Sequence, residues 1–120
     1  MNEQEFKTPT DKLVSSISYF REDKKIGFIK LKPINSWLVE LEMFNVKKKY
    51  RNAGIGNILL QDAIKEIVKH NYGKISLLCR ADAKAALHLY EKNGFEIEGE
   101  LKNHFKNEEN MYVISKLLNI

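Results

Sequence analysis

The sequence predicts an α/β (α+β) domain built on a mixed sheet, and three observations carry that reading. Two segments place apolar residues at helical spacing, each follows an extended apolar stretch, and the remaining apolar stretches are short and separated by polar turns. The element order is βββαβαββ.

Residues 1–12 are polar and contain Pro9, so they are expected to form a flexible N-terminal arm, with one domain over 13–120. Leu13 to Phe20 alternates weakly, and Arg21-Glu22-Asp23-Lys24-Lys25 turns the chain into Ile26-Gly27-Phe28-Ile29-Lys30-Leu31, which reads as a β-hairpin ended by Pro33. Trp37 to Val46 gives a third strand, in which Leu38, Leu41 and Phe44 alternate imperfectly, as in a central strand covered on both faces. From Gly56 to about Asn71, Leu59, Leu60, Ala63, Ile64, Ile67 and Val68 recur at helical spacing, and Asn71-Tyr72-Gly73 supplies a stop. Lys74 to Cys79 is a buried strand. Asp82 is expected to cap a second helix that ends at Asn93-Gly94, and Phe95–Leu101 and Met111–Leu118 close the sheet as a strand pair.

Composition bounds the function. The chain has 120 residues, 43% hydrophobic and 30% charged, as in an ordinary globule with one core. No apolar run reaches membrane-spanning length and Met1-Asn2-Glu3-Gln4-Glu5 does not begin a secretory signal, so the expected location is the cytoplasm. The single cysteine, Cys79, fits a reducing compartment. The net charge of +4 invites a nucleic-acid reading, but lysines interleave with glutamates, and the dense run Lys47-Lys48-Lys49 has no interleaved aromatics on which bases could stack. His70, His88 and His104 form no metal-ligand pattern.

The most informative stretch runs from Val46 through Arg51-Asn52-Ala53-Gly54-Ile55-Gly56-Asn57 to Ile58-Leu59-Leu60, an apolar strand passing through a glycine loop into a helix. A helix start exposes unpaired N–H groups and a partial positive charge, so an anion such as a pyrophosphate is bound there by groups the fold must present anyway. The bland alternative is a tight turn, since turns favour glycine for backbone reasons alone. No Gly-Lys-Ser/Thr closes the loop and no Gly-x-Gly-x-x-Gly is present, which excludes a P-loop and the dinucleotide fingerprint. What is present is Arg-x-x-Gly-x-Gly. Further on, Ala86, Leu89-Tyr90-Glu91-Lys92-Asn93-Gly94-Phe95 forms a second pattern, Leu-Tyr-x-x-x-Gly-Phe.

Together these motifs resemble the two signatures of the GNAT superfamily of acetyl-CoA-dependent N-acetyltransferases, and the resemblance covers Leu13 to Leu118. It implies a mixed, mostly antiparallel sheet with splayed central strands and helices packed on it. It also implies acetyl-CoA as cosubstrate, no metal, and direct transfer of the acetyl group to a primary amine. By resemblance, Asn45 and Val46 offer main-chain groups to the pantetheine arm and Arg51, Asn52, Ala53, Gly54, Ile55, Gly56 and Asn57 hold the pyrophosphate. Ala83, Ala86 and Lys92 complete the coenzyme contacts on the second helix. Tyr90 matches the tyrosine that protonates the departing thiolate, against the alternative of a plain core aromatic.

Glu40 and Glu42 alternate with apolar residues on the central strand, and Glu40 falls where histone-type members carry a glutamate base. Partial desolvation there would raise a carboxylate's pKa; the alternative is that both glutamates face solvent or pair with lysines. Cys79 takes an apolar family position and is read as inert packing.

The sequence also departs from the family. Lys48 replaces a frequent proline, Asn52 a frequent glycine, and Ala83 a frequent asparagine. Only residues 1–12 stand where relatives carry a strand and two helices that help form the acceptor site. The acceptor site is therefore expected either to be open to a small-molecule or peptide amine or to be completed by a second chain in a homodimer. The alternative function is a non-catalytic acyl-CoA-binding or regulatory module.

Overall fold

A computed structural model of the chain describes residues 2–4, 12–106 and 109–118. The strands are β1 (Asn2–Gln4), β2 (Ser16–Arg21), β3 (Lys24–Pro33), β4 (Leu38–Val46), β5 (Lys74–Arg80), β6 (Glu96–Leu101) and β7 (Met111–Leu117). The helices are α1 (Ile55–Lys69) and α2 (Lys84–Lys92), with a single 3-10 turn at Lys48–Tyr50. All seven strands join one sheet in the order β1-β2-β3-β4-β5-β7-β6. Every pairing is antiparallel except β4 with β5. The predicted α+β class and element order are therefore present, with one strand added: the sequence reading placed no strand before Leu13, and Asn2–Gln4 pairs with β2. The remainder of the expected arm, Met1 and residues 5–11, lies outside the described residues.

Local chemistry explains the joints. Glu22 and Asp23 both take positive φ, 52° and 64°, and turn β2 into β3 with the twist that two-residue hairpins require. Helix α1 closes on Asn71 at φ 66°, and α2 exits through Gly94 at φ 87°, as glycine and asparagine permit. The imperfect alternation of β4 has a physical cause. The β3–β4 register shifts between Lys30 and Leu31, so Lys30 pairs with Met43 while Leu31 pairs with Leu41, leaving Glu42 as the extra residue of a bulge. Leu41 and Phe44, three apart, can then both face the core.

Ile17, Ile29, Val39, Leu59, Leu60, Ala63, Ile67 and Ile75 are fully buried between the sheet and α1. Each large aliphatic side chain so buried contributes about 1.5–3 kcal/mol relative to exposure. Gly27 lets the helix come close, since a Cβ there would lie 3.0 Å from Leu59 Cδ1.

The feature that positions the site is the junction of β4 and β5. They pair only at Leu38↔Lys74, Val39↔Ile75 and Glu40↔Ser76. Beyond that point β4 continues on β3 as far as Gly27↔Val46, and β5 continues on β7 as far as Arg80↔Met111. The two parallel strands therefore splay, and the far half of β4 has no strand partner on its β5 side.

Candidate active site

Both helices begin beside the splayed strands. The loop after the 3-10 turn holds Asn52 at φ 66° and Gly54 at φ 81°, and α1 starts at Ile55 with Gly54 as N-cap. No side chain caps this start, and no acidic residue lies in the first turn, so its N–H groups and partial positive charge remain directed outward. Nothing lies within 4 Å of a Cβ built on Gly54, so glycine is needed there for its left-handed conformation rather than for space. A Cβ on Gly56 would sit at ordinary contact distance, 3.6 Å from Leu89 and 3.7 Å from Phe44.

Helix α2 starts in the same way, with Ala83 as N-cap, no side-chain cap and no acid in its first turn. The expected cap by Asp82 is not made. Both Asp82 carboxylate oxygens instead accept from Arg80, from Nε and Nη2 at 3.0 Å each, because Arg80 extends from the end of β5 immediately before it. This pairing holds the Asp82 carboxyl below its usual range, and Glu109 lies 3.0 Å from Arg80 Nη1.

A cleft of about 320 Å³ lies between these helix starts. From the predicted set it brings together Asn45, Val46, Arg51, Asn52, Ile55, Gly56, Ala86 and Tyr90, and it adds Phe44, Tyr50, Ala85 and Leu89. Ala53 and Gly54 are exposed in the loop at the α1 start, and Ala83 stands at the α2 start. Lys92 is not part of this group: it is the last residue of α2, exposed at the opposite end of the helix.

Arg51 does more than present charge. Its Nε donates to the Val46 carbonyl at 2.9 Å and ties the loop to the end of β4. The Tyr50 ring lies beneath the Arg21 guanidinium, 5.6 Å away, and near Lys49 Nζ, 5.7 Å away. Arg21 and Tyr50 were not foreseen, because Arg21 arrives from a hairpin distant in sequence. Phe44 could have been found from its odd spacing to Leu41 had a bulge been allowed for.

Tyr90 is 8% exposed and is the one buried residue of α2. Its ring stands edge-on to Phe44 at 6.3 Å and to Phe95 at 5.6 Å. Burial, with the Cys79 thiol nearby, pushes its phenol well above the ordinary range, so it stays protonated near neutral pH. Cys79 is itself buried, and burial together with the Asp82 carboxylate raises its thiol, which keeps it a poor nucleophile.

The two glutamates differ. Glu40 is half-buried on the last paired rung, opposite Ser76 and next to Lys32 in the β3 register. Glu42 is the bulge residue, exposed, with Oε2 3.8 Å from Lys32 Nζ. Among the described residues, no three His, Cys, Asp or Glu side chains are grouped to hold a metal ion, and no helix is long and apolar enough to cross a membrane.

Comparison with known proteins agrees with this arrangement. The family model described as acetyltransferase (GNAT) family matches residues 2–95. Similar solved structures include Ard1 from Thermoplasma volcanium, 23% identical over 89% of this chain and 72% of that one, with a TM-score of 0.85. A GNAT family acetyltransferase from Elizabethkingia anophelis with acetyl-CoA bound is 26% identical over 86% of this chain and 75% of that one, TM-score 0.81. Arabidopsis thaliana Naa50, in complex with the bisubstrate analogue CoA-Ac-MVNAL, is 28% identical over 84% of this chain and 71% of that one, TM-score 0.76. A search of curated proteins returns no match. A glycine loop and two uncapped helix starts meeting at splayed strands, with the family model covering most of the sequence, lead to one assignment: this chain belongs to the GNAT acetyltransferase family and is an acyltransferase.

Proposed function

We propose that the chain is a cytoplasmic N-acetyltransferase that moves the acetyl group of acetyl-CoA to a primary amine of a small molecule or peptide. The observation that carries this reading is the convergence of two uncapped helix starts and Tyr90 on one cleft beside the splayed half of β4. The α1 start and its loop suit the pyrophosphate, where unpaired N–H groups meet negative charge without a competing acid. The backbone of β4 beyond Glu40, unpaired toward β5, suits the amide-bearing pantetheine arm.

In this mechanism the neutral amine nitrogen attacks the thioester carbonyl carbon, and the carbonyl electrons move onto oxygen. As they return, the carbon–sulfur bond breaks and the Tyr90 phenol gives its proton to the departing thiolate. Glu40, directly or through water, takes the proton shed by the new amide nitrogen. Burial keeps the phenol protonated near neutral pH but also makes it a weaker acid than the thiol it must generate. The transfer therefore depends on holding the phenol against the sulfur rather than on acid strength.

The test is amine-dependent release of CoA thiol from acetyl-CoA across a panel of peptides, polyamines and amino sugars. Turnover with any primary amine supports the reading. Calorimetric binding of CoA without turnover on any of them would instead favour a non-catalytic acyl-CoA-binding module.

A further inference from the structure

The two helices that frame the cleft are anchored very unequally. Helix α1 is fifteen residues long and buries Ile55, Leu59, Leu60, Ala63, Glu66 and Ile67. Helix α2 is nine residues long and buries Tyr90 alone. A helix this short has little stability of its own, so its position depends on what fastens it to the rest of the fold.

One fastening is polar. Asn93 Nδ2, at the C-terminal end of α2, donates to Asn57 Oδ1 at 2.9 Å and to the Leu89 carbonyl at 2.9 Å. Asn57 is in the first turn of α1, the turn whose N–H groups face the cleft. Around the same point the Tyr90 carbonyl accepts from Asn93 N and Phe95 N, at 3.0 Å each. Asn93 therefore grips the residue preceding Tyr90, the carbonyl of Tyr90 itself and the anion-binding helix start together.

We propose that Asn57 and Asn93 are positioning residues whose side-chain bond fixes the distance from the α1 start to the Tyr90 phenol. This rests on the proposed role of Tyr90. An acid displaced by a fraction of an ångström from the sulfur it must protonate loses rate, while the phosphate-binding groups of the α1 start are main-chain amides, which an alanine at Asn57 or Asn93 retains. The bond therefore acts on turnover and not on coenzyme affinity.

The experiment measures kcat, KM and calorimetric CoA affinity for Asn93→Ala and Asn57→Ala, each in the wild-type and the Tyr90→Phe backgrounds. Asn93 has φ −96° and ψ 14°, which alanine adopts without strain, and Asn57→Ala approaches the same bond from the firmly packed helix. The expected result is a fall in kcat of about tenfold for either variant, CoA affinity within about twofold, and no further fall in the Tyr90→Phe background. Two outcomes overturn the proposal: an unchanged kcat in both alanine variants while Tyr90→Phe is slow, or losses that multiply with that of Tyr90→Phe. If Tyr90→Phe is itself as fast as wild type, the role of Tyr90 fails first, and a kcat loss in the alanine variants then has some other origin, which also overturns the proposal.

Discussion

The proposed donor side and the proposed acceptor side of the β4–β5 gap are built to different degrees. On the donor side every element is tied down: Gly54 and Asn52 take left-handed angles, Arg51 holds the end of β4, and Asn93 fastens α2 to α1. On the acceptor side Glu42 is exposed beside Lys32, Met43 is 49% exposed and Leu78 is 42% exposed. What differs is how far each side is preorganised. A site for an invariant coenzyme is assembled by backbone geometry, whereas the amine side consists of side chains whose task depends on a substrate.

The largest effect that would sharpen this contrast is expected at Tyr90. Tyr90→Phe keeps the packing against Phe44 and Phe95 but removes the proton, so kcat should fall about 100-fold with KM for acetyl-CoA little changed. Steady-state thiol release decides it, and equal turnover in both proteins removes Tyr90 from the chemistry. Next is Glu40. Glu40→Gln should lower kcat about tenfold or more in rate profiles against amine concentration, whereas Glu42→Gln should stay within about twofold. Identical profiles for the two variants would erase the distinction between the rung and the bulge.

A smaller effect tests whether the loop acts through conformation. Gly54→Val forces a branched residue to φ 81° and costs about 1–3 kcal/mol, so CoA affinity measured by calorimetry should weaken about tenfold. Gly56→Ala places a methyl at ordinary contact distance and should change affinity far less. The reverse order would mean that space at the helix start, not the loop angle, is limiting.

The last effect is on stability. The folded Tyr90 phenol stays protonated above its ordinary pKa of 10.0, while the unfolded chain ionises there. The unfolded state then binds fewer protons, so this contribution is complete below pH 10 and is lost as pH rises, by about 1.4 kcal/mol per pH unit. Denaturant unfolding should show a steeper alkaline decline for wild type than for Tyr90→Phe.

Much of this was legible in the sequence because it is local. The helix periods, the hairpin turn, the Arg-x-x-Gly-x-Gly loop and the Leu-Tyr-x-x-x-Gly-Phe end each depend on residues close along the chain. What escaped was non-local or competitive. Asp82 was a reasonable cap until Arg80 claimed both its oxygens. The bulge at Glu42 is set by register with β3, and Arg21 reaches Tyr50 only through the sheet. The Asn57–Asn93 bond joins residues 36 apart in sequence, and no spacing rule points to it.

The central claim is that the coenzyme's pyrophosphate sits at the α1 start. Amide chemical shifts followed by NMR during titration with CoA test it directly. The account predicts the largest changes at the backbone amides of Asn52 through Asn57, with a second group at Ala83 to Ala86. Changes centred elsewhere, for example on the trough beyond α2 lined by Leu87, Tyr112 and Ile114, would contradict it.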